Sequence, residues 1–316
     1  MISLKSNILI TGGTGMIGSS IIMELKKKGY SNILDPSKKE LNLFNLDNVK
    51  NFLKKNQPEI IILASGKTGG IKENISKPSE LILENIMMQN NILSSLNEIE
   101  NLKRLFFLAS SCVYPSGINE PMREESLLTN IPEKTSIAYS MAKLSGIYSC
   151  KAINVSMKSN ICISLIPASC YGPNDNFDPL SSHVLGGIMS KMIDAKKNNI
   201  NEVTLWGSGC AQREFIYVDD LSKAILHIMD IKNLPEVINI GFGEDIAIKE
   251  LAKKIATTLD YNGKILWNKE KVDGALKKLL NSDKMFNLNW KPKVKLAEGL
   301  ALTYDWIKKK GDVKYE

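Results

Sequence analysis

The stretch from Ile8 to Gly18, which reads ILITGGTGMIG, constrains the fold of this chain more than any other. Its first apolar residues predict a buried strand, and residues 19–28 predict the helix that follows. In such a strand–turn–helix unit, glycines let the backbone approach a pyrophosphate, and the helix N-terminus stabilises the charge. The residues expected to form this dinucleotide-binding turn are Gly12, Thr14, Gly15, Met16, Ile17 and Gly18.

Strand-like and helix-like segments alternate through the first half of the chain. Strands are predicted at residues 8–11, 32–35, 59–64, 104–109 and 160–167, and helices at 18–28, 46–55, 80–97 and 138–157. This alternation is typical of an α/β fold with a doubly wound parallel sheet, the Rossmann arrangement. We expect residues 1–167 to form a dinucleotide-binding domain, to which residues 214–240 return. Residues 168–316 are expected to form mainly a smaller, interleaved C-terminal substrate-binding domain.

The chain carries a formal net charge of +7, but the distribution of its basic residues argues against a nucleic-acid surface. Of the 41 Lys and Arg residues only three are Arg, and the lysines are scattered rather than interleaved with aromatic residues. A mild positive balance suits an anionic small molecule. The five cysteines form no C-x-x-C pair, so we expect neither a disulfide framework nor a metal site.

The hydropathy of the chain argues against membrane association. No apolar run approaches the ~18 residues that a membrane-spanning helix needs. A strand is predicted almost at the first residue, which leaves no room for a signal peptide. Because the thiols are also expected to be free, these features predict a cytoplasmic protein.

Tyr139 and Lys143 stand four positions apart at the start of a predicted helix, and therefore lie on one helix face. A neighbouring ammonium group is expected to lower the pKa of the phenol. Such a phenol can give its proton to a carbonyl oxygen while hydride arrives at the carbon. Ser110, directly after a predicted strand, is placed to polarise the same carbonyl. The alternative is a packed Tyr, a solvated Lys and a strand-capping Ser.

Together these residues resemble the extended short-chain dehydrogenase/reductase family over essentially the whole chain. Within that family the chain is similar to the GDP-L-fucose synthases. The stretches that carry this likeness are Lys67-Thr-Gly-Gly-Ile71, Ser110-Ser-Cys-Val-Tyr-Pro115, Tyr171-Gly-Pro-Asn-Asp-Asn-Phe177, Ser182-His-Val184, Trp206-Gly-Ser-Gly209, Arg213-Glu-Phe215, Val218-Asp-Asp220, and Asp273-Gly274 with Lys278-Leu-Leu280. The resemblance implies NADPH-dependent 3,5-epimerisation and 4-reduction of a GDP-4-keto-6-deoxy sugar, giving GDP-L-fucose.

The resemblance also implies two catalytic residues for epimerisation, because the family's Cys and His correspond to Cys112 and His183. A 4-ketone acidifies the hydrogens at C3 and C5, and inverting either centre requires a base on one face and an acid on the other. Thiols and imidazoles titrate close enough to neutrality to serve, with unperturbed pKa values of about 8.5 and 6.5. The second histidine, His227, is expected to be an ordinary helix residue.

For the substrate, the resemblance implies contacts from Lys191, Trp206, Arg213 and Lys278. Arg213 is suited to a diphosphate because a guanidinium group can donate two parallel hydrogen bonds. Lys191 stands where the family commonly has an Arg. The positive charge is therefore kept, but the planar guanidinium group that donates two parallel hydrogen bonds is not.

NADP(H) is favoured over NAD(H), although the residues after the second predicted strand conflict. A carboxylate at Asp35 would hold ribose hydroxyls and repel a 2′-phosphate, whereas Lys38 and Lys39 would bind that phosphate. The resemblance favours NADP(H), held by Lys38 and the glycine turn together with Tyr139, Lys143 and His183.

Two alternatives to this function stay open. One is a related GDP-4-keto sugar from a GDP-L-colitose or GDP-6-deoxyheptose pathway. The other is a non-catalytic dinucleotide-sensing module, which has no need of the proton donor that Ser110, Tyr139 and Lys143 supply. Sugar-nucleotide 4,6-dehydratases usually carry an acidic residue where this chain has Ser111 and Cys112. The resemblance also implies a homodimer through the helices at 80–97 and 138–157.

Overall fold

A computed structural model describes residues 2–178 and 181–310 of the 316-residue chain. Its strands are β1 (Ile8–Thr11), β2 (Ile33–Leu34), β3 (Ile60–Leu63), β4 (Arg104–Leu108), β5 (Cys162–Pro167), β6 (Ser169–Tyr171), β7 (Glu202–Trp206), β8 (Gln212–Tyr217), β9 (Val237–Ile240), β10 (Asp245–Ala247), β11 (Lys264–Asn268) and β12 (Lys277–Lys278). Its helices are α1 (Met16–Lys27), α2 (Leu46–Asn56), α3 (Ile71–Ser76), α4 (Pro78–Leu93), α5 (Ile137–Met157), α6 (Val184–Lys197), α7 (Val218–Ile228), α8 (Ile248–Leu259), α9 (Asp283–Asn287) and α10 (Leu296–Lys310).

The main sheet has six parallel strands in the order β2-β1-β3-β4-β5-β9. Every residue of β1, β3, β4, β5 and β9 is buried, as expected for a parallel sheet covered by helices on both faces. Helix α1 packs beside α7, and α4 packs beside α5. The predicted doubly wound α/β fold is therefore confirmed, and the carboxyl ends of its strands meet at one edge.

A second apolar core lies under β7, β8 and helices α6, α8 and α10. Strands β10, β8, β12 and β6 form one small sheet, and β7 pairs with β11 in another. Tyr171 stands edge-on to Phe215 and Tyr217, with ring centroids 6.2 and 5.7 Å apart. These rings link β6 to β8 and so fix the position of the chain that leaves the main sheet.

Some elements differ from those expected from the sequence. Helix α6 is not expected, because Gly186 and Gly187 in its first turn lower its intrinsic propensity. Burial of Leu185, Met189 and Met192 in the second core overrides that preference. Helix α4 begins at Pro78, whose fixed φ suits a first helical position, and ends four residues before the expected Asn97. Within the turn-rich segment at 171–183, residues 179 and 180 lie outside the described part of the chain.

A buried asparagine at the carboxyl end of β9 joins three distant segments. Asn239 accepts a hydrogen bond from the Tyr114 hydroxyl at 2.6 Å, and its backbone N–H donates to Glu124 Oε1 at 2.9 Å. Its side-chain amide donates to the carbonyls of Met122 and Asn281, each at 2.9 Å. The loop that follows β4 and the segment that follows β12 are therefore attached to the same point of the main sheet.

None of the helices in the described ranges combines the length and apolarity needed to cross a membrane. All five cysteines belong to the described residues and carry free thiols.

Candidate active site

The glycine turn between β1 and α1 brings backbone and helix close together. Gly12 has φ +75°, and a Cβ there would lie 2.9 Å from the backbone of Ser65. A Cβ on Gly18 would lie 2.1 Å from the Gly12 carbonyl oxygen, so only glycine permits this contact. Gly15 is exposed and precedes the first turn of α1 without a side-chain cap. The N–H groups of that turn are therefore available to an anion.

The other expected cofactor residues lie around this turn. Thr14 is exposed, and Met16 and Ile17 are half-buried in the first turn of α1. Asp35, Lys38 and Lys39 are exposed after β2. Asp35 lies next to the turn, because a Cβ on Gly13 would lie 3.1 Å from the Asp35 Cβ. The carboxylate and the two lysines are therefore all on the surface that continues from the glycine turn.

The structure brings Ser110, Cys112, Tyr139 and Lys143 together at the carboxyl end of β4. Ser110 shares a hydrogen bond with the Tyr139 phenol, and its hydroxyl accepts one from the Cys112 backbone N–H at 3.5 Å. The Ser140 hydroxyl donates to the Cys112 carbonyl at 2.8 Å. The first turn of α5 therefore fixes both the phenol and the backbone of the thiol residue, which is only 7% exposed.

Lys143 is held beneath this cluster. Its ammonium donates to the Leu108 carbonyl at 3.0 Å and lies 5.1 Å from the Phe107 ring centroid and 5.8 Å from that of Tyr139. The side chain is 5% exposed, and burial lowers the pKa of Lys143 to about 8, against a raising effect of Cys112. At neutral pH the side chain therefore remains mostly charged.

The pKa of Tyr139 shifts in the direction opposite to that expected from the sequence. Burial raises it above 10, the charge of Cys112 adds to the increase, and the Ser110 hydrogen bond opposes both. The expected lowering by Lys143 does not occur, because the cost of removing a phenolate from water is the largest effect on this group and only the Ser110 hydrogen bond opposes it. Tyr139 therefore keeps its proton at neutral pH, as a proton donor must.

His183 is the residue that precedes α6, and it lies near Lys278 and Glu73. These residues border the crevice expected at the carboxyl ends of the main-sheet strands. The segment of His183 is held by the Gly70 N–H, which donates to the Ser181 carbonyl at 3.2 Å. The residue is exposed to solvent, but protein atoms packed around its ring remove part of the water that would hydrate a charged imidazole. This burial lowers the pKa of His183 below 6.5, Lys278 lowers it further, and Glu73 opposes them. His183 is therefore mainly neutral at pH 7.

Arg213 and Lys278 lie side by side on adjacent parallel strands, since they are register partners in β8 and β12. Burial lowers the pKa of both side chains, and the charge of Arg213 lowers that of Lys278 further. Asp273 and Glu133 raise the pKa of Arg213, and Cys112 and Glu133 raise that of Lys278. Two cations held side by side form a site for a dianionic group.

Glu214 supports this cationic pair from behind. Its carboxylate accepts hydrogen bonds from the Gly243 N–H at 2.6 Å and the Leu280 N–H at 2.8 Å, and its side chain is buried. Burial raises the pKa of Glu214 to about 7, although these backbone donors oppose the shift. Because Leu280 is two residues beyond Lys278, the bond fixes the strand that carries the cation.

Lys191 and Trp206 lie apart from the cluster of Ser110, Tyr139 and Lys143 at the end of β4. Lys191 Nζ donates to the Thr204 carbonyl at 3.1 Å, and Trp206 Nε1 donates to the Val272 carbonyl at 2.7 Å. The indole is 41% exposed, and the Lys271 ammonium lies 5.4 Å from its centroid. Within the described residues, neither side chain contacts the cluster of Ser110, Tyr139 and Lys143.

Two acidic residues of the crevice were not expected from the sequence. Glu73 raises the pKa of His183, and Glu133 raises the pKa of both Arg213 and Lys278. Glu73 lies in α3 and Glu133 lies just before α5, and neither belongs to a motif singled out in the sequence. His227, as expected, lies in α7 and hydrogen-bonds the Leu288 carbonyl at 2.7 Å. The described residues contain no group of three or more side chains suited to hold a metal ion.

Comparisons with known proteins agree with this geometry. The model of the NAD dependent epimerase/dehydratase family matches residues 8–241. GDP-L-fucose synthase 1 of Arabidopsis thaliana is 39% identical over 305 residues, which cover 96% of this chain and 94% of that protein. GDP-L-colitose synthase of Yersinia pseudotuberculosis is 35% identical over 301 residues, covering 95% and 97%. The solved structure of a GDP-mannoheptose C4 reductase from Campylobacter jejuni with NADP bound has a TM-score of 0.87 and 29% identity, covering 98% of this chain and 100% of that one.

Proposed function

Since this chain belongs to the NAD dependent epimerase/dehydratase family, we propose that it epimerises C3 and C5 of a GDP-4-keto-6-deoxy sugar and then reduces C4 with NADPH, giving GDP-L-fucose. The observation that carries the proposal is the position of Cys112. Its thiol shares the buried end of β4 with Ser110 and Tyr139, and its charge acts on Lys143 and Lys278. A reductase alone needs no thiol beside its proton donor.

For epimerisation, Cys112 and His183 supply the acid and the base. The base removes the proton from the carbon beside the ketone, and the electron pair moves toward the ketone oxygen. The acid then returns a proton to the opposite face of that carbon. A largely neutral His183 can accept a proton, and the Cys112 thiol near Lys278 can donate one.

For reduction, Tyr139 gives its proton to the C4 oxygen, and Ser110 donates a hydrogen bond to that oxygen. NADPH, when bound, supplies the hydride that reaches C4. Lys143 then stabilises the phenolate that is left, and Tyr139 regains a proton from solvent. The raised pKa of Tyr139 keeps the proton in place until the oxygen becomes basic enough to take it.

The substrate is held from the other side of the crevice. Arg213 and Lys278 bind the diphosphate, since they form a paired cationic surface. Trp206 and Lys191 lie farther out, where an exposed indole and an ammonium suit the guanosine part of the nucleotide. We infer these contacts from the chemistry of the side chains and from the names of the relatives.

The residues fit a dinucleotide. The first turn of α1 presents free N–H groups behind a glycine that leaves room for a pyrophosphate. Lys38 and Lys39 extend from the same surface and suit a 2′-phosphate. The solved reductase that holds NADP supports NADP(H) over NAD(H). Tyr139, Lys143 and His183 would contact the nicotinamide end.

The names of the relatives support one neighbouring alternative, a GDP-4-keto sugar that leads to GDP-L-colitose or to a GDP-heptose. A non-catalytic dinucleotide sensor is disfavoured because Ser110, Tyr139 and Lys143 are assembled as a proton donor.

The proposed contacts also assign each part of the chain to one of the two ligands. Residues 1–167 and 214–240 bind the dinucleotide, and residues 168–316 mainly bind the substrate. A homodimer through α4 and α5 would cover the exposed apolar side chains of Leu83, Met87, Tyr148 and Val155. The five free thiols suit the cytoplasm.

The deciding experiment is to incubate the purified protein with NADPH and GDP-4-keto-6-deoxymannose. We expect loss of NADPH absorbance and a product whose NMR couplings are those of GDP-L-fucose. Parallel reactions with a 3-deoxy and a heptose analogue test the alternative sugars. Binding of NADPH without its oxidation by any of the three sugars would instead support the sensor.

A further inference from the structure

A cavity of about 220 Å³ opens beside Lys278 of the cationic pair and beside residues 110–116, the cysteine loop, which follows β4. Ser111, which lies between Ser110 and Cys112, contributes to its wall, as does Lys278. Glu133 and Asn119 add polar atoms, and Leu276 adds an apolar surface. The cavity therefore continues the candidate active site rather than forming a separate one.

Glu133 is fixed at the wall of this cavity by its backbone neighbours. Pro132 pairs with Pro115, and the Ser116 N–H donates to the Ile131 carbonyl at 3.0 Å. The Ser136 N–H donates to the Glu133 carbonyl at 3.0 Å, just before α5 begins. The backbone position of Glu133 is therefore set by both the cysteine loop and the helix that carries Tyr139.

The side chain of Glu133, by contrast, has unused hydrogen-bonding capacity. It is half-buried, and in the ranges that the structure describes its carboxylate makes neither a hydrogen bond nor an ion pair. It still acts on the charges of Arg213 and Lys278, so it lies near both cations but beyond ion-pair distance. A half-buried carboxylate with free acceptors beside a cavity suits a ligand that donates hydrogen bonds.

We propose that Glu133 is a specificity residue that accepts hydrogen bonds from hydroxyl groups of the hexose ring seated in this cavity. This inference rests on the proposed function. The carboxylate repels the diphosphate, which therefore binds to Arg213 and Lys278. With the diphosphate held there, the sugar is directed toward the cavity. A sugar that lacks a ring hydroxyl leaves an acceptor unpaired and is therefore a poorer substrate.

The test compares two ligands that differ only by the sugar, GDP and GDP-mannose, by calorimetric titration. Glu133→Gln keeps the side-chain volume but replaces one acceptor by a donor and removes the charge. We expect about tenfold weaker binding of GDP-mannose. GDP should bind equally or more tightly, because repulsion of the diphosphate is removed. Glu120→Gln is the matched control, since Glu120 is exposed in the same loop but is not part of the cavity wall.

Three outcomes would count against the proposal. Equal weakening of both ligands would make Glu133 a partner of the two cations only, and unchanged binding of both would make it a packing residue. A wild-type protein that binds neither ligand would overturn the proposed function itself and, with it, this inference. Glu133→Ala, compared by thermal unfolding, separates a lost contact from a lost fold.

Turnover provides a second measure. Wild-type protein should prefer GDP-4-keto-6-deoxymannose over its 3-deoxy analogue in kcat/KM, and Glu133→Gln should reduce that preference by about tenfold. An unchanged ratio in the variant would show that the ring hydroxyls bind elsewhere.

Discussion

The two sides of the crevice are held in place by different means. On the sheet side, meaning Ser110, Cys112, Tyr139 and Lys143, hydrogen bonds hold the residues to one another or to β4 and α5. Ser110 bonds to Tyr139, Lys143 donates to the last carbonyl of β4, and the Cys112 carbonyl accepts from Ser140 in α5. On the lobe side, meaning His183, Arg213 and Lys278, the residues come from three separate segments and carry or face like charges. The candidate proton donor and thiol are therefore held in place by the main sheet, whereas the side chains proposed to bind the substrate depend on how separate segments of the chain are placed.

The largest effect is expected on the sheet side. Tyr139→Phe should lower the rate of NADPH oxidation by about 10²–10⁴-fold, because the phenolic proton is lost while the ring and its packing remain. Solvent deuterium should still enter C3 and C5, which mass spectrometry detects. NADPH consumption at the wild-type rate would contradict the assignment of Tyr139.

Cys112→Ser separates the two reactions that share the sheet side. A hydroxyl is a much weaker acid than a thiol, so deuterium exchange at C3 and C5 should fall on the order of 10²-fold. Slow direct reduction should continue and give an unepimerised or partly epimerised sugar. NMR couplings identify the product. Buried Cys150→Ser is the control, and equal loss of exchange in both variants would point to packing.

Arg213→Lys probes the lobe side. A point charge replaces a planar fork, and about 1–2 kcal/mol of charge-assisted hydrogen bonding is lost. KM for the nucleotide sugar should rise about tenfold, with a smaller change for NADPH. Steady-state kinetics with each ligand varied in turn provides the measurement. A raised cofactor KM with an unchanged substrate KM would move Arg213 to the other side of the crevice.

Glu214 gives the lobe side its own dependence on pH. Its pKa is raised from 4.5 to about 7 on folding, so its contribution to stability is present below pH 4.5 and is lost as the pH rises through 7. Relative to wild type, Glu214→Gln should gain roughly 3 kcal/mol in the free energy of unfolding across this interval. Urea unfolding at pH 4.5, 6 and 8 measures this slope, and parallel curves for the two proteins would refute the shift.

The smallest effect is expected outside both sides of the crevice, at the exposed residues that follow β2. Lys38→Ala combined with Lys39→Ala should reduce the preference for NADPH over NADH a few-fold, because exposed charges contribute little each. Asp35→Ala should raise that preference. A wild-type preference for NADH would show that Asp35, rather than the lysines, sets the choice of cofactor.

The same contrast explains what could be predicted from the sequence. The apolar run Ile60–Leu63 and the spacing of Tyr139 and Lys143 are local signals, and both appear in the structure as expected. Strand β12 consists of two lysines, and its position depends on pairing with β8 and on the distant Glu214. No local sequence pattern predicts such a strand. The raised pKa of Tyr139 also depends on burial, which spacing along a helix does not reveal.

The hydrogen bonds of Asn239 bear on how such a site changes during evolution. The loop through Met122, which borders the cavity beside Lys278, and the segment through Asn281, which follows Lys278, both accept hydrogen bonds from this one buried amide. The two segments also bond to each other directly, since the Met122 N–H donates to the Leu279 carbonyl at 2.8 Å and the Asn281 N–H donates to the Met122 carbonyl at 2.9 Å. A change in the backbone path of one segment therefore disturbs the other. The two segments are therefore expected to change together during evolution. New sugar preferences should arise by replacing both segments or by substituting side chains on an unchanged backbone.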